Sequence, residues 1–178
     1  MKKKIRGQKR KTKNMIDQII HLTEEFPTEF YNNNHWCLHL PVSQAFINSS
    51  KLPLGIKRLC VQTLIDRTIH LIEKKPHSND FLRVIAAIQL PSLWNSQIII
   101  FKGESYYKEF FQRDNKYYNW TPLSNNRNLI RELGVDIPKD IKIRGVKEII
   151  DDEDGYFENE IWFIGELEEG IISQKENS

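Results

Sequence analysis

Three runs decide the fold: HWCLHLPV at residues 35–42, GIKRLCVQTLIDRTIHLIEKKP at 55–76 and FLRVIAAIQLP at 81–91. In the first, Trp36, Leu38, Leu40 and Val42 alternate with His35, Cys37, His39 and Pro41. That two-residue period is a strand with one face on the core. In the second, Ile56, Cys60, Val61, Leu64, Ile65, Thr68, Leu71 and Ile72 fill about half the circumference of a helix projected at about 100° per residue, with Arg58, Gln62, Asp66, His70 and Glu73 opposite. Pro76 stops it. In the third, Leu82, Val84, Ala86, Ile88 and Leu90 make one apolar face, while Phe81, Arg83, Ile85, Ala87 and Gln89 make a mixed one. Strand, helix and strand in this order predict two parallel strands of one sheet joined by a right-handed crossover. Pro91 to Gln97 then turns into Gln97–Lys102, which predicts an antiparallel hairpin, so the sheet is expected to be mixed.

Outward from this core, Met15, Ile16, Ile19, Ile20 and Phe26 recur near helical spacing, giving a helix over 14–26 closed by Pro27. It can begin earlier and include the basic residues in front of it. Asn32, Asn33 and Asn34 read as a turn. Ser43 to Leu54 reads as a short helical turn or loop. Tyr106, Tyr107, Phe110 and Phe111 repeat at helical spacing and predict a helix packed on the sheet rather than a platform for bases. Tyr117 to Thr121 reads as extended, and Ser124 or Asn125 caps a helix through Leu133 that Gly134 ends. Ile141 to Ile150 and Tyr156 to Leu167 form a closing hairpin across the acidic turn Asp151, Asp152, Glu153, Asp154 and Gly155. The acidic run lacks the alternating ligand spacing of an EF-hand loop and reads as a solvated turn. The chain is thus an α+β (or α/β) single domain, with a mixed sheet, a strand-helix-strand core and a C-terminal β-hairpin. It divides into a flexible basic arm at 1–13, the globular domain at 14–167 and a polar tail at 168–178.

At 178 residues the chain buries a core without needing disulfide or zinc. Cys37 and Cys60 lie far apart and form no CxxC pair, which fits a reduced, cytoplasmic setting. The longest apolar runs, 84–88 and 98–101, are far short of the roughly 20 residues of a membrane span, so no membrane partner is expected. The formal net charge of +2 conceals a separation. Lys2, Lys3, Lys4, Arg6, Lys9, Arg10, Lys11 and Lys13 stand without an acidic neighbour in 1–13, leaving 18 basic against 24 acidic residues elsewhere. Closely spaced cations displace counterions from a phosphate backbone, which makes this stretch a candidate nucleic-acid contact. A solvated tail that folds back on the acidic body is the bland alternative.

Strand parity places His35, Cys37, His39, Arg83 and Gln89 on one face of the first two strands. Two histidines one residue apart can begin a zinc site, but His21, His77 or a carboxylate would have to complete it, and no metal or other cofactor is assigned. Arg83 within an apolar strand requires an acceptor, so Arg83 with His39 is a candidate anion site, and His35, His39, Arg83 and Gln89 are the candidate ligand-binding set. A buried structural carboxylate is the other acceptor open to Arg83. No GxSxG, HExxH or Walker loop occurs. A paired-histidine phosphoesterase needs a hydroxyl residue two positions after each histidine, whereas His39 is followed by Pro41.

The blocks KRLCVQTLIDRTIHLIEKKP (57–76), RVIAAIQLPSLWNSQIIIF (83–101), FFQRD (110–114) and EIWFIGEL (160–167) resemble an uncharacterised family of small proteins from Bacillus-like bacteria, a domain of unknown function, over Asn34 to Leu167. The resemblance implies a bacterial cytosolic setting and brings no activity or cofactor. The leading expectation is a non-enzymatic binding or regulatory module with a macromolecular partner, foremost a protein, for which Trp94, Trp120 and Trp162 are candidate anchors. The second is an enzyme acting on a phosphorylated or nucleotide substrate at the His35, His39 and Arg83 face. The third is nucleic-acid contact through the basic arm.

Overall fold

The computed structural model describes residues 2–42, 52–117, 120–123, 127–152 and 155–172. The turn or helix read for 43–51, the cap at Ser124 or Asn125, the centre of the acidic turn and the end of the tail lie outside them. In chain order the described elements are α1 (Lys2–Leu22), β1 (His35–His39), α2 (Leu54–Lys74), β2 (Leu82–Leu90), β3 (Gln97–Lys102), α3 (Glu104–Tyr117), β4 (Thr121–Pro122), α4 (Arg127–Leu133), β5 (Lys142–Asp152) and β6 (Gly155–Gly165). The strands form one sheet in the order β1-β3-β2-β6-β5-β4. The fold is a single α+β domain with the strand-helix-strand core and the C-terminal hairpin.

One expectation is corrected. β1 and β2 do run in the same direction, but β3 lies between them and pairs antiparallel with both, as do all other neighbours, so the sheet is antiparallel rather than mixed. The cause is in the β3 sequence. Ile98, Ile99, Ile100 and Phe101 are all buried, apolar on both faces, and a strand of that kind belongs in the sheet interior. Tyr117 is the last residue of α3 rather than extended, strand pairing is described from Thr121, and 118–119 lie outside the described residues.

Each face of the sheet carries its own core. Val84, Ala86, Ile88, Ile98, Ile100, Trp162 and Ile164 pack with Met15 and Ile19 of α1, with Cys60, Val61, Leu64, Ile65 and Leu71 of α2, and with Leu129 and Leu133 of α4. Ile85, Ala87, Ile99, Phe101, Val146 and Phe163 pack with Tyr107 and Phe111 of α3 and with Trp120. Helices therefore lie mainly on one face. Phe101 is the hub of the second core, its ring 5.1–6.2 Å from those of Tyr106, Tyr107, Phe110 and Phe111. Edge-on pairs at this distance each contribute roughly 0.5–1.5 kcal/mol beyond burial.

The polar side of α2 is a seam between helices. Gln62 and Asp136 exchange two hydrogen bonds, the Gln62 amide donating to Asp136 O at 3.0 Å and Asp136 N–H donating to Gln62 Oε1 at 2.8 Å. Arg58 Nε donates to Leu133 O at the end of α4, beside Gly134, whose φ of +63° closes that helix. On the other flank Arg67 donates from Nε to Thr23 Oγ1 (2.7 Å) and from Nη2 to Thr23 O (2.6 Å), and a ring nitrogen of His70 lies 3.0 Å from Glu24 O. Thr23 is fully buried, so Arg67→Ala strands its carbonyl. The expected cost is about 1–3 kcal/mol, concentrated where α1 is tied down. Hydrogen exchange should show faster exchange in α1 while the β2 amides stay protected; an α1 pattern like that of the parent would refute the anchor.

Candidate functional site

The odd residues of β1 and β2 share one face of the sheet, the face on which α3 packs. What differs is the use of that face. His35 pairs with Phe101, which pairs with Arg83, so the histidine and the guanidinium flank Phe101 two strands apart. The His35 ring is stacked on Tyr106, with centroids 5.1 Å apart, and is met edge-on by Tyr31. Arg83 lies over the Phe81 ring at 4.5 Å, donates to Leu82 O at 3.1 Å, and reaches Glu168 at 3.7 Å. The acceptor that an arginine in an apolar strand requires is thus a carboxylate of the chain itself.

His39 pairs with Gln97, opposite Ala87, four residues along β2 from Arg83. At the rise of an antiparallel strand this places the two about 13 Å apart along the sheet. The Arg83–His39 anion site is therefore not assembled. Gln89 is buried and its Oε1 accepts from Asn95 N–H at 3.2 Å, holding the β2–β3 turn. Of the four candidate ligand residues, the structure brings His35 and Arg83 to one row and leaves His39 and Gln89 elsewhere.

His39 does have one close neighbour. Cys37 Sγ lies 3.7 Å from His39 Nε2, both residues being exposed on β1. Although Cys37 meets solvent, partial desolvation by its neighbours pushes its thiol above the ordinary range, which is opposite to the activation of a nucleophile. Desolvation pushes the Cys60 thiol up to about 12, as for a packing residue. Among the described residues no three of His, Cys, Asp and Glu come together as a metal set. His21 and His77 accordingly do not complete the strand histidines.

The tryptophan anchors divide. Trp94 is exposed on the β2–β3 turn, whereas Trp120 and Trp162 are buried, one in each core. A feature invisible to the sequence reading is an open cleft of about 500 Å³ between the start of α2, α4 and the strands, lined by Leu54, Lys57, Leu90, Leu129, Lys147 and Glu160 among others. No motif announces it, because its walls come from five separate parts of the chain. Two of its cations are engaged: Lys57 donates to Pro91 O at 3.0 Å, and Lys147 pairs with Glu158 at 2.8 Å.

The basic stretch is the front of α1, a single helix from Lys2 to Leu22. Thr12, Met15, Ile19 and Thr23 are buried along one stripe, at the three- and four-residue intervals of one helix side. Lys9, Arg10, Lys11 and Lys13 are exposed. The cations thus spread around the exposed circumference of a helix whose remaining side is fixed to the body.

Fold and site together define a small α+β protein in which a helix-backed antiparallel sheet carries a cationic helix. The chain belongs to the family described as protein of unknown function (DUF3916), whose model matches residues 16–166. The match begins inside α1, earlier than the Asn34 read from the sequence, and excludes the basic stretch. No curated protein and no solved structure matches the chain. No helix among the described residues is long and apolar enough to cross a membrane.

Proposed function

We propose that the protein is a non-enzymatic binding module of the bacterial cytosol that engages nucleic acid through α1. The observation that carries this reading is the exposed set Lys9, Arg10, Lys11 and Lys13 on a helix anchored by Thr12, Met15, Ile19 and Thr23. Lys2, Lys3, Lys4 and Arg6 continue the same helix. A cation on a held helix loses less freedom on meeting a phosphate than one on a free chain. Two weakened rivals add to it. Of the three tryptophans offered as anchors for a protein partner two are core, and the face offered for an enzyme is occupied by Tyr106, Phe101 and Glu168. A membrane surface is the other polyanion such a helix could meet. Surface helices bind by inserting an apolar side. Here Met15 and Ile19, on that side, are spent on the body.

Fluorescence anisotropy with labelled duplex DNA, duplex RNA and single-stranded RNA tests the proposal. Binding should weaken steeply with salt, each phosphate contact adding roughly 0.9 to the slope of log K against log salt on duplex DNA. Replacing Lys9, Arg10, Lys11 and Lys13 together by alanine should lower that slope by about 3 to 4 units if each covers one phosphate. Unchanged binding by the quadruple variant, absence of binding at low salt, or preference for phosphatidylserine vesicles over every nucleic acid would overturn it.

A further inference from the structure

β1 is an outer strand, paired among the described strands with β3 alone. Three hydrogen bonds show which of its backbone groups are used. Lys102 N–H donates to Asn34 O, Leu40 N–H donates to Ser96 O, and Tyr31 N–H donates to His35 O, each at 2.7 Å. In an antiparallel ladder the bonded residues alternate, so Trp36 and Leu38 face β3 while Cys37 and His39 turn their N–H and C=O groups outward. The same two residues expose their side chains on one face, with Sγ and Nε2 3.7 Å apart. A tetrahedral zinc ion, with Zn–S near 2.3 Å and Zn–N near 2.0–2.1 Å, separates a thiolate from an imidazole nitrogen by about 3.6 Å. The pair already spans one edge of that tetrahedron.

We propose that Cys37 and His39 form half of a zinc site, which a second copy of this chain completes across a two-fold axis at the β1 edge. Two ligands are insufficient for a structural zinc, which takes four. No further His, Cys, Asp or Glu of the described residues joins this pair, and a second copy of the chain can supply the two ligands it lacks. An isologous contact supplies the same two residues. Antiparallel pairing of two β1 strands centred on Leu38 sets Cys37 opposite the second copy's His39, and His39 opposite the second copy's Cys37. All four side chains then rise from one face. The outward backbone groups of both residues pair in the same step. Two thiolates and two neutral imidazoles around one Zn²⁺ leave no net charge, and the two thiol protons go to solvent. Soft sulfur with imidazole favours zinc over the oxygen-seeking magnesium and calcium.

The test uses the full chain under a non-chelating phosphine reductant, stripped with a chelator and then titrated with zinc chloride, or with cobalt(II) chloride as a coloured substitute. Expected are one metal per two chains, a doubled mass by sedimentation, and a sulfur-to-cobalt charge-transfer band. Cys37→Ser should abolish the band and the metal-dependent dimer, and His39→Ala should lower metal affinity on the order of 100-fold. Both residues are exposed, and an unchanged circular dichroism spectrum shows that each variant folds. Cys60→Ser, altering a buried thiol, should keep band and dimer. One metal per chain without a change of mass, a band that survives Cys37→Ser, or a dimer that forms only without reductant and needs no metal would each overturn the proposal. None of these outcomes depends on whether α1 binds nucleic acid.

Discussion

Gly165→Ala is expected to destabilise the protein by roughly 3 kcal/mol or more, combining backbone strain and overpacking of about 1–3 kcal/mol each. Gly165 ends β6 at φ +141°, opposite Ile85, and a Cβ there would stand 2.4 Å from Val84 O and 3.1 Å from Ile85 Cα. Both obstacles are backbone, so no rotamer change relieves them. The neighbouring contacts raise the cost. Glu166 N–H donates to Val84 O at 3.1 Å, its Oε2 accepts from Val84 N–H at 3.0 Å, and its Oε1 pairs with Lys75 after α2. Pushing β6 away from β2 disturbs all three. Gly103→Ala is the control, since Gly103 also has positive φ (+93°) but nothing within 4 Å of the added carbon. It should cost only about 1–2 kcal/mol, the conformational part alone. Urea unfolding of both variants decides the matter, and equal losses would mean that the β6–β2 approach is looser than described.

Trp162→Ala should cost about 3–5 kcal/mol, as expected for truncating a fully buried indole. Trp162 is the largest fully buried side chain and lies beneath the helices of the first core. Its cross-strand neighbour on β5 is Gly145, where a Cβ would meet three indole ring carbons at 2.7–2.9 Å. The absent side chain on β5 is the space that the indole fills. Gly145→Ala alone should therefore cost about 1–3 kcal/mol by overpacking, yet be nearly neutral once Trp162→Leu has removed the ring. A double-mutant cycle should give a coupling of at least about 1 kcal/mol, against near-additivity for sites that do not touch. Additive losses would separate the two residues.

Periodicity carries β1, α2, β2 and the final hairpin because each buries one regular face, which is what period reports. It does not carry neighbour relations. Nothing in the parity of β1 and β2 shows that β3 returns between them; the sign is instead the lack of any polar alternation in Ile98–Phe101. The candidate face shows the same limit. Parity correctly grouped His35, His39, Arg83 and Gln89, but which residues lie side by side depends on register, and whether the face is open depends on α3, two elements later in the chain. The polar residues of α2 show a related limit. Arg58, Gln62 and His70 look like a solvated side, yet they meet backbone groups at Leu133, Asp136 and Glu24, and a backbone acceptor leaves no trace in side-chain composition.

The continuity of α1 across the start of the family match fixes the helical phase of its cations. Met15 and Ile19 hold the rear of the helix against the body, and a straight helix turns by about 100° and advances about 1.5 Å with each residue. One residue inserted between Lys13 and Met15 would swing every cation in front of it by about 100° around the axis, with net charge and composition scarcely altered. Four inserted residues would restore the direction to within about 40° and displace the charges by about 6 Å. The bearing of the charges relative to the body is thus set by a count of residues, separately from the number of charges, and a change of chain length at this one place alters the first without touching the second.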